Sequence, residues 1–312
     1  MRHGFVKVAA ATPKIKVADT VYNTEQIRLL MTESAAWGAR ITVFPELCIT
    51  GYTCQDLFLQ EKLIAGAKDA LMQLAEASAS IPGIYFVGLP YEINGKLYNV
   101  AAAISDGQVL GMVPKSWIPN YNEFYEMRHF ASGAELSTDV TLPDGSEVLV
   151  DREQLFVCEQ MNKLKIGVEL CEDLWTPNPP SIAHALAGAD VIVNLSASNE
   201  ITGKSAYRKE LVCGQSARLV SAYIYASAGE GESTQDLVFS GHNLIAENGR
   251  LLAESKRFGY GVIYTEIDVE KLIAERRRMT TFATQDGYVE TSFELEPEET
   301  KLTRYIDPAP FV

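Results

Sequence analysis

The chain has 312 residues, 47% of them hydrophobic and 22% charged, which is enough apolar material for a large core and for one or two domains. Its 41 acidic against 27 basic residues give a net charge of −14, which argues against electrostatic binding of nucleic acid or an anionic membrane and fits a solvated cytoplasmic protein. No apolar run is long enough to cross a bilayer, and the opening Met1-Arg2-His3-Gly4-Phe5 moves into a strand pattern without an apolar leader, so no signal peptide is expected.

Apolar runs then alternate with helical patterns. Residues 5–11 read as a strand. Residues 21–37 read as a helix, with Val21, Ile27, Leu30, Met31 and Ser34 near one face and Gly38 just past its end. Residues 41–44 form a short buried strand. A second helix is expected over 56–79, with Asp56 as N-cap and Leu59, Leu63, Ala67, Leu71 and Leu74 at helical spacing. Strands at 84–89, 97–105 and 108–113 follow, separated by Asn94-Gly95 and Asp106-Gly107, both strong hairpin signals. A long irregular stretch, 117–151, has the length of a functional lid or insertion.

The second half repeats the theme. Strands at 155–159 and 164–170 flank an Asn162-Lys163 turn. A short helix spans 180–187, a buried strand 191–195, a helix 205–220 and a strand 222–226. Strands at 237–245 and 250–254 flank Asn248-Gly249, and a strand at 261–267 precedes a last helix over 269–279. Two such halves imply an α/β sandwich with helices outside. The expected domain is 1–285. Residues 286–312, acidic and then Pro-rich at Pro308 and Pro310, read as the start of a linker.

Five cysteines at irregular spacing fit free thiols in a reducing compartment, and none has the partners for a zinc site, so no metal is expected. Cys171 stands out. The largely apolar run 164–170 delivers it to a turn ahead of Glu172-Asp173-Leu174-Trp175, where a nucleophile is held rigid yet reachable. Two other strand ends offer what a thiol needs to cut an amide: a carboxylate in Phe44-Pro45-Glu46, and a lysine in Pro114-Lys115. Glu169, Glu172 and Asp173 disfavour a thiolate, so base and cation must come from elsewhere in the chain. The Gly-x-Cys-x-Gly elbow is absent. His129, His184 and His242 are expected to be structural, since no histidine lies near a cysteine motif. The run Arg276-Arg277-Arg278 sits at a helix end, where the dipole favours cations.

Taken together, Phe44-Pro45-Glu46, Pro114-Lys115 and Glu169-Leu170-Cys171-Glu172-Asp173 resemble the nitrilase (carbon–nitrogen hydrolase) superfamily. The flanks 46–58 and 119–130 are similar to the glutaminase domain of glutamine-dependent NAD synthetases, and the likeness extends from Phe5 to about Thr281. The resemblance implies a four-layer αββα sandwich and a catalytic triad of Glu46, Lys115 and Cys171. Glu46 would be the general base. Lys115, with the backbone N–H of Glu172, would hold the oxyanion. By the same resemblance, Tyr52, Tyr121, Phe124, Glu172 and Ser198 would bind L-glutamine, with Lys204 at its carboxylate. Glu123 would be an accessory acid supporting Lys115 or Glu46. The implied reaction is hydrolysis of glutamine to glutamate and ammonia through a cysteine thioester. The ammonia would amidate nicotinic acid adenine dinucleotide on a synthetase domain, which alone would need ATP and Mg; the glutaminase domain needs no cofactor. No Gly-rich phosphate loop is present, so that domain is expected to lie outside this chain. Homo-oligomers are expected, as for the superfamily. The alternative is a stand-alone amidase of the same superfamily acting on another amide or a carbamoyl amine.

Overall fold

The computed structural model describes residues 3–161, 164–234, 236–295 and 299–308. β1 (Phe5–Thr12) leads into α1 (Thr20–Ala36), β2 (Ile41–Val43), α2 (Glu61–Ser78) and β3 (Ile84–Ile93). β4 (Lys96–Ser105), β5 (Gln108–Pro114), β6 (Ser137–Thr141) and β7 (Glu147–Asp151) complete the first half. The second half runs through β8 (Gln154–Cys158), β9 (Lys165–Leu170), α3 (Glu172–Trp175), α4 (Pro180–Leu186), β10 (Val191–Ser196), α5 (Lys204–Leu219) and β11 (Ala222–Ser227). It closes with β12 (Leu244–Glu247), β13 (Arg250–Glu254), β14 (Gly261–Asp268), α6 (Val269–Arg278) and β15 (Val289–Phe293).

Two mixed sheets result. One has the order β14-β1-β2-β3-β4-β5-β7-β6, the other β13-β12-β11-β10-β9-β8-β15. Their inner faces share one core, in which Val8, Val43, Phe86 and Val113 of the first sheet meet Phe156, Val168, Val193 and Ile224 of the second. On the outer face of the first sheet, Ile27 and Met31 of α1 and Leu71 and Leu74 of α2 pack over Tyr85, Val87 and Ile104. On the outer face of the second, Val212 and Leu219 of α5 pack over Ile192 and Tyr223. This is the expected four-layer αββα sandwich. Strands buried on both faces explain the near-continuous apolar runs.

Turn chemistry works as read. Asn94 and Gly95 both take positive φ (51° and 73°), as do Asp106 and Gly107 (46° and 79°), so each pair makes the two-residue connection that suits a twisted hairpin. Several expectations need correction. The second helix starts at Glu61, because residues Gln55–Leu59 form a separate 3₁₀ turn; Asp56 is no N-cap but accepts from Arg128 Nε at 2.7 Å. Val21 is 79% exposed despite its place in the apolar pattern of α1. The stretch 117–151 is not wholly irregular, since it ends in the β6–β7 hairpin. Residues 237–243 are not a regular strand; β12 begins only at Leu244. The Asn162-Lys163 turn lies outside the described residues. The expected linker contributes to the folded unit: β15 runs parallel to β8 from Val289↔Gln154 to Phe293↔Cys158, and Arg304 Nη1 reaches Glu247 Oε2 at 2.8 Å. The packed domain therefore extends past residue 285.

β2 is parallel to β3, and β3, β4 and β5 alternate in direction, so β2 and β5 run the same way and end at one rim of their sheet. β9 and β10 run parallel in the facing sheet. Glu46, Lys115, Cys171 and Ala197 all follow the last residues of these four strands. The fold brings them to one place by strand direction.

Candidate active site

Cys171 leaves β9 with φ 41° and ψ −98°, a conformation disfavoured for any residue with a Cβ. Its backbone N–H donates to Leu195 O at 3.0 Å and to Asn194 Oδ1 at 3.2 Å, which fixes the sharp turn against β10. Asp173, two residues on, is buried. One of its oxygens accepts from Leu170 N at 3.0 Å and the other from Trp117 N at 2.8 Å, so a single carboxylate ties the Cys171 turn to the chain just after Lys115. Burial raises the Asp173 pKa to about 7, against the pull of those amides.

Glu46 is fully buried. Its Oε1 accepts from Asn99 Nδ2 and from Lys115 Nζ, both at 2.6 Å, and its Oε2 from Ala197 N at 2.9 Å. The turn that carries it rests directly on Gly88 of β3. A Cβ there would fall 2.3 Å from Leu47 N and 2.8 Å from Pro45 O, so only glycine allows this approach.

Lys115 Nζ also lies 2.8 Å from each carboxylate oxygen of Glu126. Burial disfavours the Lys115 charge, but Glu126 and Glu46 outweigh it and hold the ammonium well above its ordinary pKa. Glu126 is pushed up to about 7 by burial, with Lys115 pulling the other way. The Cys171 thiol is raised well above its ordinary range, first by burial and then by the Glu46 carboxylate, with Lys115 opposing. The resting group is therefore a neutral thiol beside a base, so attack requires proton transfer.

Glu126 is the acid that sequence reasoning passed over. Glu123, the expected accessory acid, does not reach the triad; its Oε1 accepts from Asn199 Nδ2 at 2.6 Å. The useful signal was that a buried lysine between strands needs a second buried carboxylate, and the loop after Lys115 holds two candidates. Tyr52 is also reassigned. Its hydroxyl donates to Glu126 Oε1 at 2.8 Å, and its ring packs edge-on against Phe239 at 5.8 Å, so it stands behind the acid and does not line the cleft.

A cleft of about 140 Å³ opens over Cys171. Tyr121, Phe124, Glu172, Ser198 and Lys204, all expected at the substrate, line it, and so does Trp175, which was not anticipated. Tyr121 OH donates to Glu172 Oε1 at 2.7 Å. Lys204 Nζ sits 5.1 Å from the Trp175 ring centre and 5.6 Å from that of Phe124, and donates to Asn199 Oδ1. Burial lowers the Lys204 pKa and raises that of Glu172. The cleft thus offers a cation, an acid and aromatic walls above a thiol, which suits a small zwitterion with an aliphatic stem. A larger cavity of about 370 Å³, beside Trp37 and Tyr264, holds none of these groups.

The histidines have the structural roles expected. His184 Nε2 lies 2.9 Å from Val168 O and its Nδ1 2.8 Å from Tyr288 OH, and burial lowers its pKa to about 4. His242 lies between Arg208 and Glu254, and His129 beside Asp56. Arg276 reaches back to Asp190 Oδ1 at 3.2 Å rather than standing in a free basic run.

Comparison with known proteins finds relatives in sequence and in fold. The glutamine-dependent NAD(+) synthetase of Mycobacterium tuberculosis is 39% identical over 323 aligned positions, covering all of this chain and 47% of that protein. The crystal structure of a glutamine-dependent NAD(+) synthetase from Cytophaga hutchinsonii superposes with a TM-score of 0.76 at 29% identity, over 84% of this chain and 43% of that one. A Nesterenkonia amidase from the nitrilase superfamily, 17% identical, shares the fold with a TM-score of 0.68 over 89% of this chain and 97% of its own. The chain spans about half the length of the curated relatives it matches. The sequence profile of the family described as Carbon-nitrogen hydrolase matches residues 7–277, and the chain belongs to that family.

Proposed function

We propose that the chain is the glutaminase part of a glutamine-dependent NAD synthetase, with Cys171, Glu46 and Lys115 as catalytic residues. The observation that carries the reading is the cleft itself. Glu172 and Lys204, opposite in sign, flank a Cys171 thiol that sits above a buried Glu46–Lys115 pair. Glutamine presents an α-ammonium and an α-carboxylate at one end and a carboxamide at the other. Glu172 would meet the ammonium, Lys204 the carboxylate, and Tyr121, Phe124 and Trp175 the stem.

In the reaction the Cys171 sulfur bonds to the carboxamide carbon while its proton passes to Glu46. The oxyanion is held by Lys115 and the backbone N–H of Glu172. Glu46 gives the proton to the leaving nitrogen, ammonia departs, and a thioester remains. Glu46 then deprotonates a water that attacks the thioester, releasing glutamate and restoring the thiol. No cofactor takes part. The ammonia would be used on a synthetase domain to amidate nicotinic acid adenine dinucleotide, a step that needs ATP and Mg. Such a protein would work in the cytoplasm, a compartment supported by five free cysteines, and would assemble as a homo-oligomer. No helix among the described residues is long and apolar enough to cross a membrane.

The test is ammonia release from glutamine together with intact mass after reaction with a diazo-ketone analogue of glutamine. One adduct per chain is expected, absent in Cys171→Ala. Ammonia release that survives Cys171→Ala would overturn the mechanism. Turnover of simple amides but not glutamine would favour a stand-alone amidase.

A further inference from the structure

We infer that Glu232 is a positioning residue for this chemistry, acting on Lys115 through Tyr52 and Glu126; the inference rests on the reading of the site as a Cys171-dependent amide hydrolase. Glu232 ends the 3₁₀ turn Glu230–Glu232, which follows β11 of the second sheet, and it is 1% exposed. Its carboxylate accepts from Tyr52 N at 2.8 and 2.9 Å and from Thr53 N at 3.2 Å, on the other side of the sandwich. The Thr53 hydroxyl lies 3.1 Å from Glu232 O and accepts from Thr234 Oγ1 at 3.0 Å. From the same loop, Phe239 packs against the Tyr52 ring. One loop therefore holds Tyr52 at both its backbone and its ring. The Tyr52 hydroxyl then aims at Glu126 Oε1, and Glu126 holds Lys115.

A carboxylate is an expensive way to cap two backbone amides in a protein interior, because ionised groups lose several kcal/mol of hydration there. Oε2 accepts from both Tyr52 N and Thr53 N and Oε1 from Tyr52 N again, so both oxygens face N–H donors, whereas a neutral amide offers one acceptor oxygen and one NH₂ donor. The close fit leaves little slack. A Cβ on Gly231 would fall 2.4 Å from Ile15 O, and one on Gly51 3.4 Å from Glu232 Oε2. In Glu232→Gln the amide NH₂ would face a backbone N–H, and the 52–53 turn would move away from Glu126.

The experiment is a double-mutant cycle on the full chain with Glu232→Gln and Tyr52→Phe, singly and together. It reads kcat and KM for ammonia release from glutamine, the rate of Cys171 alkylation by iodoacetamide, and Tm. Glu232→Gln should lower kcat by about 10- to 100-fold, the scale of a displacement of roughly 1 Å at a reacting group, with KM changed by less than about threefold. In the Tyr52→Phe background the same change should cost almost nothing further, because the route is already cut. Penalties that multiply, or a lower Tm with kcat and alkylation unchanged, would overturn the inference. Glu232→Asp keeps the charge and should fall between wild type and Glu232→Gln, so the idea stays testable if the latter does not fold. If glutamine is no substrate at all, the proposed function fails, yet the alkylation arm of the cycle still decides the role of Glu232.

Discussion

Lys115 Nζ sits 2.6 Å from one oxygen of Glu46 and 2.8 Å from each oxygen of Glu126, so one buried cation is shared by two buried acids. The pair of acids predicts different outcomes for the two glutamates of the loop after β5. Glu126→Gln should reduce kcat by about 10²- to 10³-fold, the usual effect of disturbing one oxyanion donor. Glu123→Gln keeps an acceptor for Asn199 Nδ2 and removes one charge from the cleft wall, away from Lys115, so it should cost less than about tenfold. Ammonia release by the two variants decides between them.

The same cluster sets a pH dependence. Burial raises the Glu126 pKa to about 7, so the carboxylate that holds Lys115 gains a proton as the pH falls through that value. Ammonia release should therefore fall on the acid side with a midpoint near 7, and this limb should be shallower in the residual activity of Glu126→Gln, where Asp173 and Glu232, each also raised to about 7 by burial, still titrate. Stability should run the other way. A carboxyl whose pKa is raised by folding binds its proton more tightly in the folded chain, so its contribution declines as pH rises from the ordinary carboxylate range through about 7. Urea midpoints measured from pH 5 to 8 should show a smaller decline for Glu126→Gln than for wild type.

Removing the cation should be worse for the fold than removing either acid. Lys115→Met leaves Glu46 and Glu126 facing each other, buried and unpaired, and breaking such a pair costs about 3–5 kcal/mol. The loss should be larger at pH 8 than at pH 5, where Glu126, already raised to about 7 by burial, can neutralise itself by protonation. A variant equally stable at both pH values would show that the two acids do not share this charge.

How far the sequence reveals this arrangement depends on the range of the interaction concerned. Local chemistry was legible: the Asn94-Gly95 and Asp106-Gly107 hairpins, the apolar runs of doubly covered strands, and the three strand-end motifs of Glu46, Lys115 and Cys171. Contacts decided across the fold were not. Glu123 and Glu126 lie three residues apart in one loop, and only the path of that loop shows which carboxylate turns inward. Asp56 suits a helix N-cap by type, but Arg128 and His129 claim its side chain from elsewhere in the chain. Val21 fits the apolar pattern of α1 yet faces solvent, since periodicity does not tell where the covering surface ends. The acidic segment 286–295 resembles a linker in composition, but parallel pairing with β8 captures it.

The walls of the cleft should affect binding more than chemistry. Lys204→Ala and Glu172→Gln should each raise KM for glutamine roughly 10- to 100-fold, the value of one charged hydrogen bond, with a smaller effect on kcat. Analogues sort the two roles. An amide lacking the α-carboxylate should be indifferent to Lys204→Ala, and one lacking the α-amine indifferent to Glu172→Gln. The reverse pattern would exchange their assignments.

Gly88 offers a test that touches no catalytic group. The Pro45–Leu47 turn lies on β3 so closely that a Cβ at Gly88 would come within 2.3 Å of Leu47 N and 2.9 Å of the Glu46 carbonyl carbon. Those contacts are backbone, so no rotamer change relieves them. The turn must rise, and Glu46 must rise with it, weakening its bonds to Asn99, Lys115 and Ala197. Overpacking of this kind costs about 1–3 kcal/mol, and a displacement near 1 Å at a general base costs about 10²-fold in rate. Gly88→Ala should therefore lower Tm and reduce kcat about 100-fold while leaving Cys171 open to alkylation. Wild-type turnover in a folded Gly88→Ala chain would show that Glu46 tolerates displacement, and that proton transfer does not depend on the turn geometry described above.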